Sequence, residues 1–235
     1  MATPDRMDER LRALDLAEAQ GRARALFAEA ARRGLFAAGR SEYEVTDRIG
    51  DLAREVLGTR TRCPGRIVRS GPHTVPPYGD EPPGDRVIGP NDTVTAHFGP
   101  LLAARGTDFA HTVVLGADPA RLRLREDLPE LFAAAREAFR ADPGITGRQL
   151  YAELQALAAK SGWTLGGWHA GHLAGETPAA NPMCARADAH ISPDNDRPLH
   201  RTTKGGWRAH WLLELHLTDP QSAFGGTHKA LLDLP

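Results

Sequence analysis

Histidine and carboxylate side chains recur on several segments that the sequence predicts as β-strands. His97 ends one such segment, and Asp108 opens the next, eleven residues later. His172 follows Gly171 much further along the chain, and Glu214 lies in an apolar run near the end. Imidazole and carboxylate groups are ligands that suit Fe(II), Mn(II) and Zn(II). Side chains this far apart form one site only if the fold gathers them around a shared metal.

Each of these four residues also has a simpler interpretation. His97 could be a buried histidine held by hydrogen bonds in a site without metal, and His172 a structural histidine after a glycine turn. Asp108 could be a surface carboxylate, although the cost of an unpaired carboxylate on an inward strand face favours its place in the site. Glu214 interrupts an apolar strand and therefore needs a partner, and an ion pair in a sheet is the alternative to a metal.

Apolar periodicity predicts the elements that would position these side chains. Four helices are expected, over residues 8–34, 41–58, 127–140 and 146–160, and Asp118-Pro119 is expected to open the helical region that contains the third. Ser41 and Glu44 have the spacing of a capping box. Strands are expected over residues 66–70, 93–98, 108–115, 187–192 and 208–218, with a turn at residues 103–106 between the second and the third. Another strand leads into His172, and a loop rich in proline and asparagine follows it. The tail after Pro220 is expected to be a turn and then a short strand or an irregular end. Paired strands with grouped helices indicate a single α+β domain over residues 1–235.

Length, charge and composition narrow the function classes. The chain has 235 residues, of which 41% are hydrophobic and 25% charged, as in ordinary soluble domains. A formal net charge of -1 gives no electrostatic case for nucleic acid binding, and it leaves a homodimer open. No segment is apolar for long enough to span a membrane. Cys63 and Cys184 lie in no metal-binding spacing, so we expect free thiols in a cytoplasmic protein.

The order and surroundings of these motifs resemble those of the pita-bread metallopeptidases, the superfamily of methionine aminopeptidase, aminopeptidase P, prolidase and creatinase. The resemblance covers residues 16–232, nearly the whole chain. It rests on the paired strands within residues 96–116, on Gly171-His172, and on Glu214, which we match to the family's last glutamate. The compact bacterial proteins of the Xaa-Pro peptidase type are the most similar in context. The resemblance implies the pita-bread fold, in which helices cover a curved antiparallel sheet.

Departures from the family pattern decide which metal site to expect. His97 stands where the peptidases have an aspartate, and Ser192 where their Ile-Glu-Pro motif has its glutamate. A neutral imidazole cannot bridge two metal ions as a carboxylate can. The family's second histidine after the Gly-His motif is also missing from residues 176–180. We therefore expect one divalent ion, Fe, Mn, Zn or Co, held by His97, Asp108, His172 and Glu214.

Three further histidines are candidates for catalysis: His73, His111 and His190. His73 lies in a long loop over residues 71–90, where the resemblance implies a histidine that binds substrate or moves protons. His111 has the opposite strand parity from Asp108, which argues against direct ligation. His190 could reach the metal beside Ser192. Two more histidines stay open as members of the site: His216 and His228.

Three functions are compatible with these residues. The first is a metal-dependent hydrolase of the Xaa-Pro peptidase type, in which metal-bound water attacks an amide or another C–N bond of a short peptide or small molecule. The second is a single-metal enzyme with other chemistry, such as a non-haem iron lyase or oxygenase. The third is a metal-free binding module on the same fold.

Overall fold

The computed structural model describes residues 6–58, 65–77, 79–101, 107–176, 186–221 and 223–234. Three sequence expectations lie outside these residues: the free thiols of Cys63 and Cys184, the turn at residues 103–106, and the segment that follows Glu176. Within the described ranges, no helix is long and apolar enough to cross a membrane.

Four helices form where apolar periodicity predicts them: α1 (Arg6–Arg32), α2 (Glu42–Leu57), α3 (Pro119–Ala141) and α4 (Gly147–Lys160). The hydroxyl oxygen of Ser41 accepts a hydrogen bond from the Glu44 amide and begins α2, as expected. Helix α3 begins at Pro119, where Asp118-Pro119 predicts the start of a helical region, because the Asp118 carboxylate caps it by accepting from the Arg121 amide.

The sheet has seven antiparallel strands: β1 (Val68–Ser70), β2 (Thr93–His97), β3 (Ala110–Val114), β4 (Thr164–Leu165), β5 (Gly171–Leu173), β6 (Trp211–Thr218) and β7 (Gly225–Leu231). Their order is β1-β2-β3-β7-β6-β4, and β5 also pairs with β6. Sheet and helices together confirm the α+β class. The expected strand over residues 187–192 is wrong, because residues Ala187–Ala189 form a 3₁₀ turn and only His190 bridges to the sheet.

The chain's tail forms a regular strand, β7, which lies in the sheet between β3 and β6. Its two initial glycines disfavour a strand by propensity. Both are needed for close approach: a Cβ at Gly225 would come within 2.7 Å of the Thr74 carbonyl oxygen, and one at Gly226 within 3.1 Å of Leu124. Tertiary packing therefore overrides local propensity here.

Strand β6 separates the helix-side core from the site. Its alternate residues Trp211, Leu213, Leu215 and Leu217 pack in one buried cluster with the leucines and phenylalanines of α3 and α4. Because strand residues alternate between faces, Glu214 and His216 point to the other side. Both are buried there as well. The apolar packing of one face thus fixes which side chains the opposite face presents.

Candidate functional site

The pairing register aligns one residue from each of four adjacent strands in a row. His97 of β2 pairs with Ala110 of β3, Ala110 pairs with Lys229 of β7, and Lys229 pairs with Glu214 of β6. Directly paired residues lie on the same face of a sheet. Asp108 comes two residues before Ala110 and reaches the same row. The register therefore brings His97, Asp108 and Glu214 together, and adds Lys229.

Lys229 is the centre of this cluster. Its Nζ lies 3.1 Å from Asp108 Oδ2 and 2.8 Å from Glu214 Oε2, and its side chain is only 2% exposed. Each of these buried ions is stabilised by the charge of its partner, because burying one ion alone would cost a large desolvation free energy. The three side chains therefore form one coupled ion-pair cluster, in which neither carboxylate is left without a cation.

The charges of the cluster shift its pKa values strongly. Burial raises the pKa of Glu214, but the Lys229 ammonium lowers it more, and the net result is a pKa of about 2. Burial also opposes ionisation of Asp108, yet Lys229 and His97 bring its pKa below the ordinary value. In turn, the two carboxylates outweigh burial and raise the pKa of Lys229. All three groups are charged at neutral pH.

His172 and His190 each have a buried ring nitrogen, Nε2, that makes no hydrogen bond within the described residues. His172 Nδ1 donates a hydrogen bond to the Leu173 carbonyl oxygen at 3.1 Å, so its Nε2 carries the lone pair. Burial and Lys229 lower the pKa of His172 to about 3, which keeps the ring neutral. His190 pairs with His172 in a β-bridge and donates from Nδ1 to the Arg186 carbonyl. Among the described residues, neither buried Nε2 has a hydrogen-bond partner.

His97 also lies close to Asp108. It is 2% exposed, and its Nδ1 lies 3.7 Å from Asp108 Oδ2, the oxygen that Lys229 contacts. That separation is too long for a hydrogen bond, although it leaves His97 within range of the carboxylate's charge. His97 therefore helps Lys229 to lower the pKa of Asp108.

The structure corrects the expectation that His111 is catalytic. His111 pairs with Ala96 and so lies on the face opposite His97. Its ring packs 4.7 Å from the Phe27 ring and 5.2 Å from the His228 ring, measured between centroids. Burial lowers the pKa of His111 to about 4 and that of His228 to about 3. Both histidines are neutral members of an aromatic cluster under the helices.

His216 faces the site but is used structurally. Its Nε2 donates a hydrogen bond to the Thr74 carbonyl oxygen at 2.9 Å. A Cβ at Gly166 would approach its Nδ1 to 2.5 Å, so the glycine backbone covers the other side of the ring. His216 thereby ties the turn at residues 71–74 to β6.

His73 is held by a second buried cluster at that turn. Its Nδ1 lies 2.9 Å from Glu42 Oε2, and Arg66 donates to the same oxygen at 2.7 Å. The other oxygen of Glu42 accepts from the Ser70 amide at 2.6 Å. Glu42 is completely buried and anchors three groups at once. It orients the His73 ring with Nδ1 toward the carboxylate and Nε2 away from it.

Replacing Glu42 by glutamine is expected to lower the free energy of unfolding by about 2 kcal/mol, because charged hydrogen bonds to buried Arg66 and to His73 become weaker. Urea unfolding at pH 7 measures the loss. The exposed Glu44→Gln change in the same helix is the control, and surface ion pairs contribute only about 0–1 kcal/mol. Equal losses in the two variants would contradict the role given to Glu42.

Gly99 shapes the position of Asp108. Its amide donates to Asp108 Oδ1 at 2.8 Å, and a Cβ at this position would come within 2.7 Å of that oxygen. We expect Gly99→Ala to displace the carboxylate and cost about 1–3 kcal/mol in unfolding free energy. Gly21→Ala is the control, because nothing lies within 4 Å of its Cβ position and alanine favours the helix. If Gly99→Ala leaves the unfolding free energy unchanged, Asp108 is not fixed by this contact.

The four residues predicted as metal ligands do not fit a divalent ion in this arrangement. The Lys229 ammonium contacts both carboxylates, so a second cation there would meet its charge at short range. Among the described residues, no group of three His, Cys, Asp or Glu side chains could hold a metal ion. The ion-pair cluster stands in place of the expected ligand set.

Sequence reasoning missed Lys229 because the pattern left the tail after Pro220 open between a short strand and an irregular end. The available signal was a lysine followed directly by the apolar run Ala230-Leu231-Leu232. A charged residue inside an apolar strand needs a partner, as the same reasoning had concluded for Glu214. Applied to both strands, it would have predicted the ion pair.

Comparisons with known proteins agree on the family and the fold. The sequence model of Metallopeptidase family M24 matches residues 15–202. No curated protein matches the chain at a significant level. Solved structures similar to the chain confirm the pita-bread fold. A prolidase from Thermococcus sibiricus has a TM-score of 0.63 and 21% identity over 93% of this chain and 59% of its own. A dipeptidase from Pyrococcus horikoshii has a TM-score of 0.68 and 21% identity, with 98% and 61% covered.

One smaller protein of known structure matches this chain over most of the length of both. The methionine aminopeptidase from Thermotoga maritima has a TM-score of 0.58 and 14% identity, and the match covers 92% of this chain and 94% of that one. By contrast, the chain spans about three-fifths of the prolidase and dipeptidase chains. At these identities the neighbours show the fold alone.

Proposed function

The chain belongs to metallopeptidase family M24, and from that premise we propose that it binds a short peptide or small molecule at a site that works without a metal. One observation supports this most strongly: Lys229 Nζ contacts Asp108 and Glu214 at 3.1 and 2.8 Å. Its ammonium supplies a permanent positive charge between carboxylates that a metallopeptidase would use for its cation. The proposal treats residues 1–235 as one domain of a cytoplasmic protein and leaves a homodimer open.

Hydrolysis of the metallopeptidase kind needs a cation that lowers the pKa of a bound water and polarises the carbonyl group. Lys229 is ill suited to either task, because two carboxylates already neutralise its charge. His172, with a pKa lowered to about 3, is a weak base. These properties favour the metal-free binding module over the metal-dependent hydrolase and the single-metal lyase or oxygenase.

The bare nitrogens of His172 and His190 support a ligand with hydrogen-bond donors. Each neutral ring offers an Nε2 lone pair in a buried position, and the cost of leaving such a group unpaired is regained when a ligand N–H or O–H meets it. The Trp168 ring lies 4.7 Å from the His190 ring and provides an apolar surface beside them. An amide-containing molecule such as a short peptide has both features.

Binding and turnover of Xaa-Pro dipeptides, measured on the same sample, test the proposal. We expect saturable binding of at least one dipeptide, and no hydrolysis after addition of Mn, Co, Zn or Fe ions. His172→Leu should weaken binding about tenfold through loss of one buried acceptor, whereas His200→Leu, next to Phe139 of α3, should not. Hydrolysis that rises with added metal would contradict the proposal, and so would the absence of binding by every dipeptide.

A further inference from the structure

A cavity outside the ion-pair cluster is lined mainly by cationic side chains. It has a volume of about 160 Å³, and four of its lining residues are basic: Arg186, Arg197, Arg201 and Lys204. Asp188 is its one acidic lining residue. This excess of positive charge contrasts with the whole chain, whose formal net charge is -1. Such a local excess favours an anionic ligand.

The carboxylate of Asp188 neutralises only part of the positive charge that lines the cavity. Asp188 is shared between Arg186, at 3.2 Å, and Arg197, at 3.4 Å. Arg201 forms no ion pair with a carboxylate side chain within the described residues, because its guanidinium donates to the carbonyl oxygens of Pro198 and Asp188. Asp188 thus pairs with two of the three guanidinium groups that line the cavity. Glu176 contributes a second carboxylate to Arg186 at 3.3 Å, but from outside the lining.

Arg201 is fixed in position before any ligand arrives. Its guanidinium carbon lies 5.0 Å from the centre of the Trp211 ring, and two backbone carbonyls hold its terminal nitrogens. Partial burial lowers the pKa of Arg201, which shows that its charge is poorly solvated where it lies. A preorganised, half-desolvated guanidinium is a strong partner for an oxyanion, because little side-chain entropy is lost on binding.

We propose that this cavity binds a compact oxyanion, namely the phosphate group of a small molecule or free phosphate. Three guanidinium groups, an ammonium and the hydroxyls of Thr202 and Thr203 line a volume suited to a group of that size. Guanidinium groups bind phosphate through paired hydrogen bonds, and a dianion matches the excess charge better than a single carboxylate does. The Arg186 carbonyl, which accepts from His190, connects the cavity to that histidine.

Calorimetric titration of inorganic phosphate into the full chain, in chloride buffer of matched ionic strength, tests this site. We expect saturable one-to-one binding that an Arg197→Gln, Lys204→Gln double variant weakens at least about tenfold, as the loss of two charged contacts implies. Both residues are exposed, so the variant should keep the parent's melting temperature. The control is Arg125→Gln, Lys160→Gln, which removes the same charge elsewhere on the surface.

A parallel titration with glycerol phosphate distinguishes the two sources of the group. Tighter binding of the ester identifies a phosphorylated small molecule, whereas equal or tighter binding of the free ion identifies phosphate itself, and both support the site. Absence of saturable binding, competition by chloride at equal concentration, or equal affinities in the two double variants would overturn it.

Discussion

Replacing Lys229 by methionine is expected to lower the free energy of unfolding at pH 7 by about 3–5 kcal/mol, because the change leaves buried carboxylates without their cation. Methionine keeps most of the side-chain volume, so the loss reports charge rather than a cavity. Asp108 and Glu214 have side chains only 14% and 11% exposed, which leaves little water to replace the ammonium. Urea unfolding monitored by circular dichroism measures the change.

The pH dependence of that loss identifies its cause. In the parent, the pKa of Glu214 is lowered to about 2, so its contribution to stability is present above its ordinary value of 4.5 and is lost as pH falls through 2. Without Lys229, burial raises the pKa of both carboxylates, and they become protonated as pH falls toward 4. The difference in unfolding free energy between parent and variant should therefore become smaller from pH 7 to pH 4. Lys160→Met, at an exposed position at the end of α4, is the control, and a difference that is small or independent of pH would contradict the ion-pair cluster.

Replacing Lys229 by glutamate is expected to create a metal site at the place that the ammonium occupies. The change removes the ammonium and leaves three carboxylates facing one another, with His97 beside Asp108. Without a metal their repulsion destabilises the variant, and a divalent cation relieves it. Binding at 100 times the dissociation constant would stabilise the variant by about 2.7 kcal/mol. Melting temperatures with and without Mn²⁺ measure this effect.

Two comparisons make the glutamate result specific. The parent's melting temperature should not change with Mn²⁺ or with a chelator, because its carboxylates are already paired. Lys229→Gln removes the ammonium without adding a carboxylate, so it should gain less from Mn²⁺ than Lys229→Glu does. If Mn²⁺ stabilises the parent as much as the glutamate variant, Lys229 does not block a metal at this place.

Helices and inner strands could be predicted from the sequence because each carries a local signal. Ser41 caps α2 as its spacing with Glu44 predicts, and β2 and β3 form within a residue or two of their expected bounds. His111 was a wrong candidate even though strand alternation had already argued against it. The pairing register places its ring on the face opposite His97, as that alternation implies.

The composition of the site was harder to predict, because it depends on which strands become neighbours. The last strand, β7, lies between β3 and β6, so Lys229 stands directly between Ala110 and Glu214. Nothing local to the tail predicts that position, and its initial glycines argue against a strand. The alternative of an ion pair for Glu214 follows from its apolar surroundings, and the partner it required is Lys229.

The metal content of the parent protein tests the central claim most directly. The protein should be produced in medium supplemented with Fe, Mn, Zn and Co salts, purified without chelator, and measured by elemental analysis beside Lys229→Glu prepared in the same way. The parent is predicted to contain none of these metals above trace level, while the variant contains one or more ions per chain. A parent protein that carries a stoichiometric metal ion would contradict the claim that the Lys229 ammonium takes the place of the cation.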